Sequence, residues 1–93
     1  MAGIKENVIE RELCDRVAAR GGLCLKVRTI GRRGFFDRLV VLPGGQIIFV
    51  ELKRPRGGRL AAHQIWYMKA FTKLGAAVAV VRSSKDIDLL LNY

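Results

Sequence analysis

The sequence predicts an α/β fold of the order α-β-β-β-α-β-α, a mixed four-stranded sheet flanked by helices. Three observations predict it. A β-hairpin stands in mid-chain: Phe35 to Leu42 and Gln46 to Lys53 are rich in β-branched and aromatic residues, and Pro43-Gly44-Gly45 interrupts them. Ile4 to Arg20 and Leu60 to Leu74 carry helical apolar spacing on either side of that hairpin. Ala76 to Arg82 is almost wholly apolar, which suits a buried strand paired in parallel.

The first helix ends at Gly21-Gly22. Leu13, Cys14 and Val17 lie three, four and seven residues after Glu10, which puts Glu10 on the apolar face. Carboxylates are seldom buried without a partner, so Glu10 either sits at the helix edge beside an arginine or has a task at a site. Glu6, one turn earlier, could share that face, whereas Glu12 and Asp15 read as solvated or paired with Arg11 and Arg16. Leu23 to Arg28 is the first strand. Thr29 to Gly34 is a basic, glycine-bearing loop leading into the hairpin.

In the second helix Leu60, Gln64, Tyr67, Phe71 and Leu74 form one stripe. Gln64, its polar member, either satisfies a backbone group at the edge or serves the site. Trp66 and Met68 read as core or as contacts with a second copy. Gly75 caps the helix, and Ser83 caps a last helix over Lys85 to Asn92.

Composition bounds what such a fold can do. Ninety-three residues make one small domain, 1–93, with a modest core that association with a second copy would supplement. Apolar residues are 51% of the chain, which excludes a disordered basic tail. The net charge of +9 favours a polyanionic partner. Nine basic residues lie between Lys26 and Arg59 (Lys26, Arg28, Arg32, Arg33, Arg38, Lys53, Arg54, Arg56 and Arg59), against only Asp37 and Glu51. The loops before and after the hairpin therefore offer arginines to a phosphate backbone. Little aromatic interleaving accompanies them, so stacking on single strands is not expected to dominate. Cys14 and Cys24 lack Cys-x-x-Cys spacing and read as reduced core thiols in a cytosolic protein. His63 is the only histidine, which speaks against zinc. No apolar run is long enough for a membrane span, and a cytoplasmic protein is expected.

The hairpin carries the chemistry. With a loop of Pro43 to Gly45, Leu42 pairs with Gln46 and Asp37 falls opposite Glu51, Cβ atoms roughly 5 Å apart. A two-residue loop would set Arg38 there instead; the first register gathers the charges in one place and is preferred. Two facing carboxylates among apolar neighbours repel, and something must compensate. A hard divalent cation fits, since Mg²⁺ takes carboxylate, water and phosphate oxygens. Lys53 shares that face and could hold a water or stabilise charge on a phosphate.

An acid before a hairpin, then Glu-x-Lys at the end of the next strand, resembles the PD-(D/E)xK nucleases. The ordered set of segments resembles, more closely, their virus-type replication-repair (VRR-NUC) family. It comprises Gly34-Phe35-Phe36-Asp37-Arg38-Leu39-Val40, Pro43-Gly44-Gly45, Phe49-Val50-Glu51-Leu52-Lys53, Gly57-Gly58-Arg59-Leu60, Gln64 and Leu74-Gly75-Ala76. Phe36 departs from the pattern where the superfamily name has proline.

The resemblance implies a restriction-endonuclease-like core and hydrolysis of phosphodiesters in DNA. It implies Mg²⁺, with Mn²⁺ as a substitute, held by Asp37, Glu51, the Leu52 carbonyl and a first-helix acid, Glu10, directly or through water. Asp37, Glu51, Lys53 and Gln64 would form the catalytic set. Arg28, Arg32, Arg33, Arg38, Arg54, Arg56 and Arg59 would grip flanking phosphates. Small stand-alone members resemble junction-cutting enzymes, so a homodimer acting on a four-way (Holliday) or other branched junction is expected, in a repair-like role. Two other readings stand beside it: a non-catalytic DNA-binding module with the same fold, and a nuclease subunit that needs a larger partner.

Overall fold

The computed structural model describes residues 5–92. Seven elements follow one another: α1 (Glu6–Ala19), β1 (Leu23–Lys26), β2 (Arg38–Leu42), β3 (Gln46–Leu52), α2 (Ala62–Lys73), β4 (Ala77–Val81) and α3 (Ser84–Leu91). The order is the expected one. The four strands form one mixed sheet in sequence order, antiparallel from β1 through β3 and parallel between β3 and β4.

Period-two alternation sorts the sheet's two faces. Val40, Leu42, Ile48, Val50 and Leu52 point to one side, where Ile9, Leu13 and Val17 of α1 and Ile87, Leu90 and Leu91 of α3 close the main core. The opposite face carries Phe49, which meets Phe71 of α2 edge-on at 4.8 Å between ring centroids. Phe35, Phe36 and Tyr67 complete this aromatic cluster.

The hairpin has the expected register, with Leu42 opposite Gln46 and Arg38 opposite Val50. Gly44 and Gly45 take φ of 93° and 79°, which lets so short a loop reverse the chain without a Cβ clash. Two expectations fail. Phe35 and Phe36 read as strand by propensity, but β2 begins only at Arg38; their rings are spent on the α2 cluster, and packing outweighs local preference. β4 is an edge strand paired with β3 alone, and of its residues only Val81 is fully buried. Its apolar run reflects helices on both faces rather than strands on both sides.

Candidate active site

The site forms where β2 begins and β3 ends. The hairpin register carries past Arg38, and Asp37 N donates to the Val50 carbonyl at 3.0 Å, which keeps Asp37 on the sheet edge beside Glu51. Asp37 Oδ2 then accepts from Leu52 N at 2.8 Å, fixing the carboxylate against the β3 backbone. Glu51 is 1% exposed, the one buried charged residue among the described residues.

Burial pushes the Glu51 carboxyl up to about 9; a hydrogen bond to Asp37 and the Asp37 charge push the same way. Lys53 opposes the shift, and Glu6 adds to it. Two acids held this close form a donor set that a hard divalent ion fits: both carboxyl groups would hold it, and its charge would offset their repulsion and the burial of Glu51.

Parallel pairing with β4 continues beyond β3, where Lys53 N donates to the Val81 carbonyl at 3.1 Å. This fixes the backbone from which the Lys53 side chain leaves. Arg82 follows β4 at the same end. Its Nη1 donates to the Arg54 carbonyl at 3.3 Å and to the Gly58 carbonyl, tying both ends of the loop that carries Arg54, Arg56 and Arg59. A Cβ at Gly58 would stand 2.7 Å from the Arg54 carbonyl oxygen, so the loop closes on itself only with glycine there. Sequence reasoning passed over Arg82, because nothing in a strand's end residue announces a loop clamp.

Of the expected residues, Asp37, Glu51, Leu52 and Lys53 are brought together. Arg28, Arg32 and Arg33 are exposed in the loop preceding β2, and Arg54, Arg56 and Arg59 are exposed in the loop following β3. Three residues are engaged elsewhere. Glu10 Oε2 accepts from Arg38 Nε at 2.7 Å, and among the described residues no third acid, histidine or cysteine converges with Asp37 and Glu51. Arg38, expected at DNA, is therefore held inside by Glu10 and by the Cys24 carbonyl at 3.3 Å. Gln64 Oε1 accepts from Ala61 N at 2.8 Å and caps its own helix, the structural alternative open from sequence. Glu6, at the start of α1, is the first-helix acid whose charge reaches Glu51; the one-turn spacing from Glu10 was the available signal.

An α/β core with an acid at the start of one hairpin strand and Glu-x-Lys at the end of the next defines a nuclease of the PD-(D/E)xK type. A solved structure described as a VRR_NUC domain shares the fold with a TM-score of 0.89 and 39% sequence identity, over 99% of this chain and 98% of that one. "Putative nuclease p44" of Acyrthosiphon pisum secondary endosymbiont phage 1 is 41% identical over 88 residues, 95% of this chain and 92% of that protein. No family model matches the sequence. On these likenesses and this fold the chain belongs to the VRR-NUC family of nucleases.

Proposed function

We propose that the chain is a metal-dependent DNA endonuclease that cuts branched duplexes, four-way junctions foremost, as a homodimer. The observation that carries this reading is buried Glu51 with Asp37 fixed beside it on the β3 backbone, Lys53 two residues on, and exposed arginines in the two adjoining loops.

Asp37, Glu51 and the Leu52 carbonyl would hold Mg²⁺ or Mn²⁺. The cation's contribution is to polarise the scissile phosphate and make a bound water acidic. Lys53 orients that water or neutralises charge developing on the phosphate. Glu6, whose charge reaches Glu51, offers a further α1 carboxylate toward the site. Glu10 acts through a water, because its carboxylate already accepts from Arg38. Gln64 serves the site through its cap, which fixes the start of α2. The arginines at 28, 32, 33, 54, 56 and 59 bind phosphates to either side. Arg38 orders the site from within.

An open sheet face supports the dimer. Leu23 and Leu25 of β1 and Ile47 of β3 share the α2-side face, beyond the reach of α2, and are 59%, 45% and 49% exposed. Trp66 on α2 is 60% exposed and is not core. A second copy would cover such apolar area and give the paired sites that a two-fold substrate needs. Among the described residues no helix is long and apolar enough to cross a membrane.

The test is cleavage of a labelled four-way junction beside linear duplex and single strands, in Mg²⁺, Mn²⁺ or EDTA. We expect metal-dependent cutting of the junction, reduced by about 10²–10³-fold in Lys53→Ala with binding retained. Cutting of linear duplex alone would remove the junction preference. Tight binding without cutting under either metal would leave a DNA-binding module.

A further inference from the structure

Cys14 and Cys24 lie ten residues apart in sequence, on different elements, and neither belongs to the site above. Cys14 is on the face of α1 that meets the sheet. Cys24 is the β1 residue opposite Val40, so it points to the same side as the α1-facing core. The two sulfurs are 2.8 Å apart, with Cys14 Sγ donating to Cys24 Sγ, and both thiols are free and half-buried. A disulfide bond is about 2.05 Å long, so less than 1 Å of approach separates this contact from a covalent link.

The approach is held by its surroundings. Glu10, one turn before Cys14, binds Arg38, and Arg38 in turn donates to the Cys24 carbonyl. One guanidinium therefore ties α1 to β1 beside the two sulfurs. Two thiols that merely packed among apolar groups would need no such fixed register.

We propose that Cys14 and Cys24 are a dithiol–disulfide couple, a modification site for small disulfide oxidants, whose closure staples α1 to β1. With glutathione disulfide, the Cys14 thiolate attacks one sulfur of the oxidant, and one glutathione thiolate leaves. Cys24, its proton passed to solvent, attacks the Cys14 sulfur of the mixed disulfide and expels the second glutathione. Two protein thiols are oxidised by two electrons, and the oxidant is reduced to two thiols. Burial pushes the Cys24 thiol up, and its contact with Cys14 pushes the same way. A reducing milieu leaves the pair as thiols; an oxidising one closes it.

The experiment exposes the purified, folded chain to glutathione disulfide, alkylates it with maleimide after denaturation, and weighs it. Wild type should lose two hydrogens and both reactive thiols within a single chain, and regain them with dithiothreitol. Cys24→Ser should instead retain one glutathione on Cys14. The oxidised wild type should melt several degrees above the reduced form, a gain that Cys24→Ser does not show. Four results would overturn the proposal: a chain that stays fully reduced, a stable glutathione adduct on wild type, a disulfide between two chains, or a lower melting temperature on oxidation.

Discussion

At Glu51 the sheet pays a cost that a metal would relieve. Its carboxyl is protonated to about 9 in the folded chain against an ordinary 4.5. The folded state therefore holds a proton that the unfolded chain releases. Stability from this group is fully present below about 4.5 and is lost progressively as pH rises toward about 9. Glu51→Gln keeps a donor for Asp37 and removes the titration. In EDTA it should be more stable than wild type, by on the order of 5 kcal/mol at pH 8 and little at pH 5. Denaturant melts of both chains at the two pH values measure the difference, and the variant should also be inactive. The Asp37–Glu51 opposition was legible in sequence, since a three-residue loop and period-two alternation fix it. The partners of Glu10 and Gln64 were not. Helical spacing gives the face a residue sits on, but not whether an arginine from a distant strand or the helix's own amide claims it first.

Among the elements, the Arg54 to Arg59 loop is the most exposed to a single change. Arg82 binds its two ends, and Gly58 gives the turn its tightness. Arg82→Ala should release the loop while leaving Asp37, Glu51 and Lys53 in place. The expected result is a rise in KM for DNA of about tenfold, with kcat kept within a factor of two or so, since the three arginines proposed to bind phosphates would lose their fixed positions. Steady-state cleavage kinetics separate the two; a fall in kcat with unchanged KM would place Arg82 at the chemistry instead. Element order was readable because each helix and strand carries its own period. The start of β2 was misread because Phe35 and Phe36 satisfy strand propensity while packing against Tyr67 and Phe71, residues some thirty positions away. Local preference contains no record of that contact.

Over the whole molecule, charge and apolar surface divide the labour. The arginine loops gather at the end of the sheet that bears the acids, and the uncovered face of β1 to β3 lies to the side. Composition announced the first, since the basic residues cluster around two acids. It could not announce the second: Leu23, Leu25 and Ile47 look like core in sequence, and only the short reach of α2 leaves them open. Leu25→Arg places a charge on that face without touching the site. On the proposed homodimer, it should shift the chain to monomer on sizing at micromolar concentration and weaken the proposed paired cutting of a junction by tenfold or so, with thermal stability of the fold retained.

The central claim is that a divalent cation takes the place of the proton that burial favours on Glu51, and is held by Asp37 as well. Calorimetric titration of Mn²⁺ into the protein at pH 7.5, in two buffers of different ionisation enthalpy, counts protons released on binding. The account predicts release of about one proton in wild type and almost none in Glu51→Gln, with much weaker binding in the variant. Binding with no proton release in wild type, or equal binding by Glu51→Gln, would contradict it.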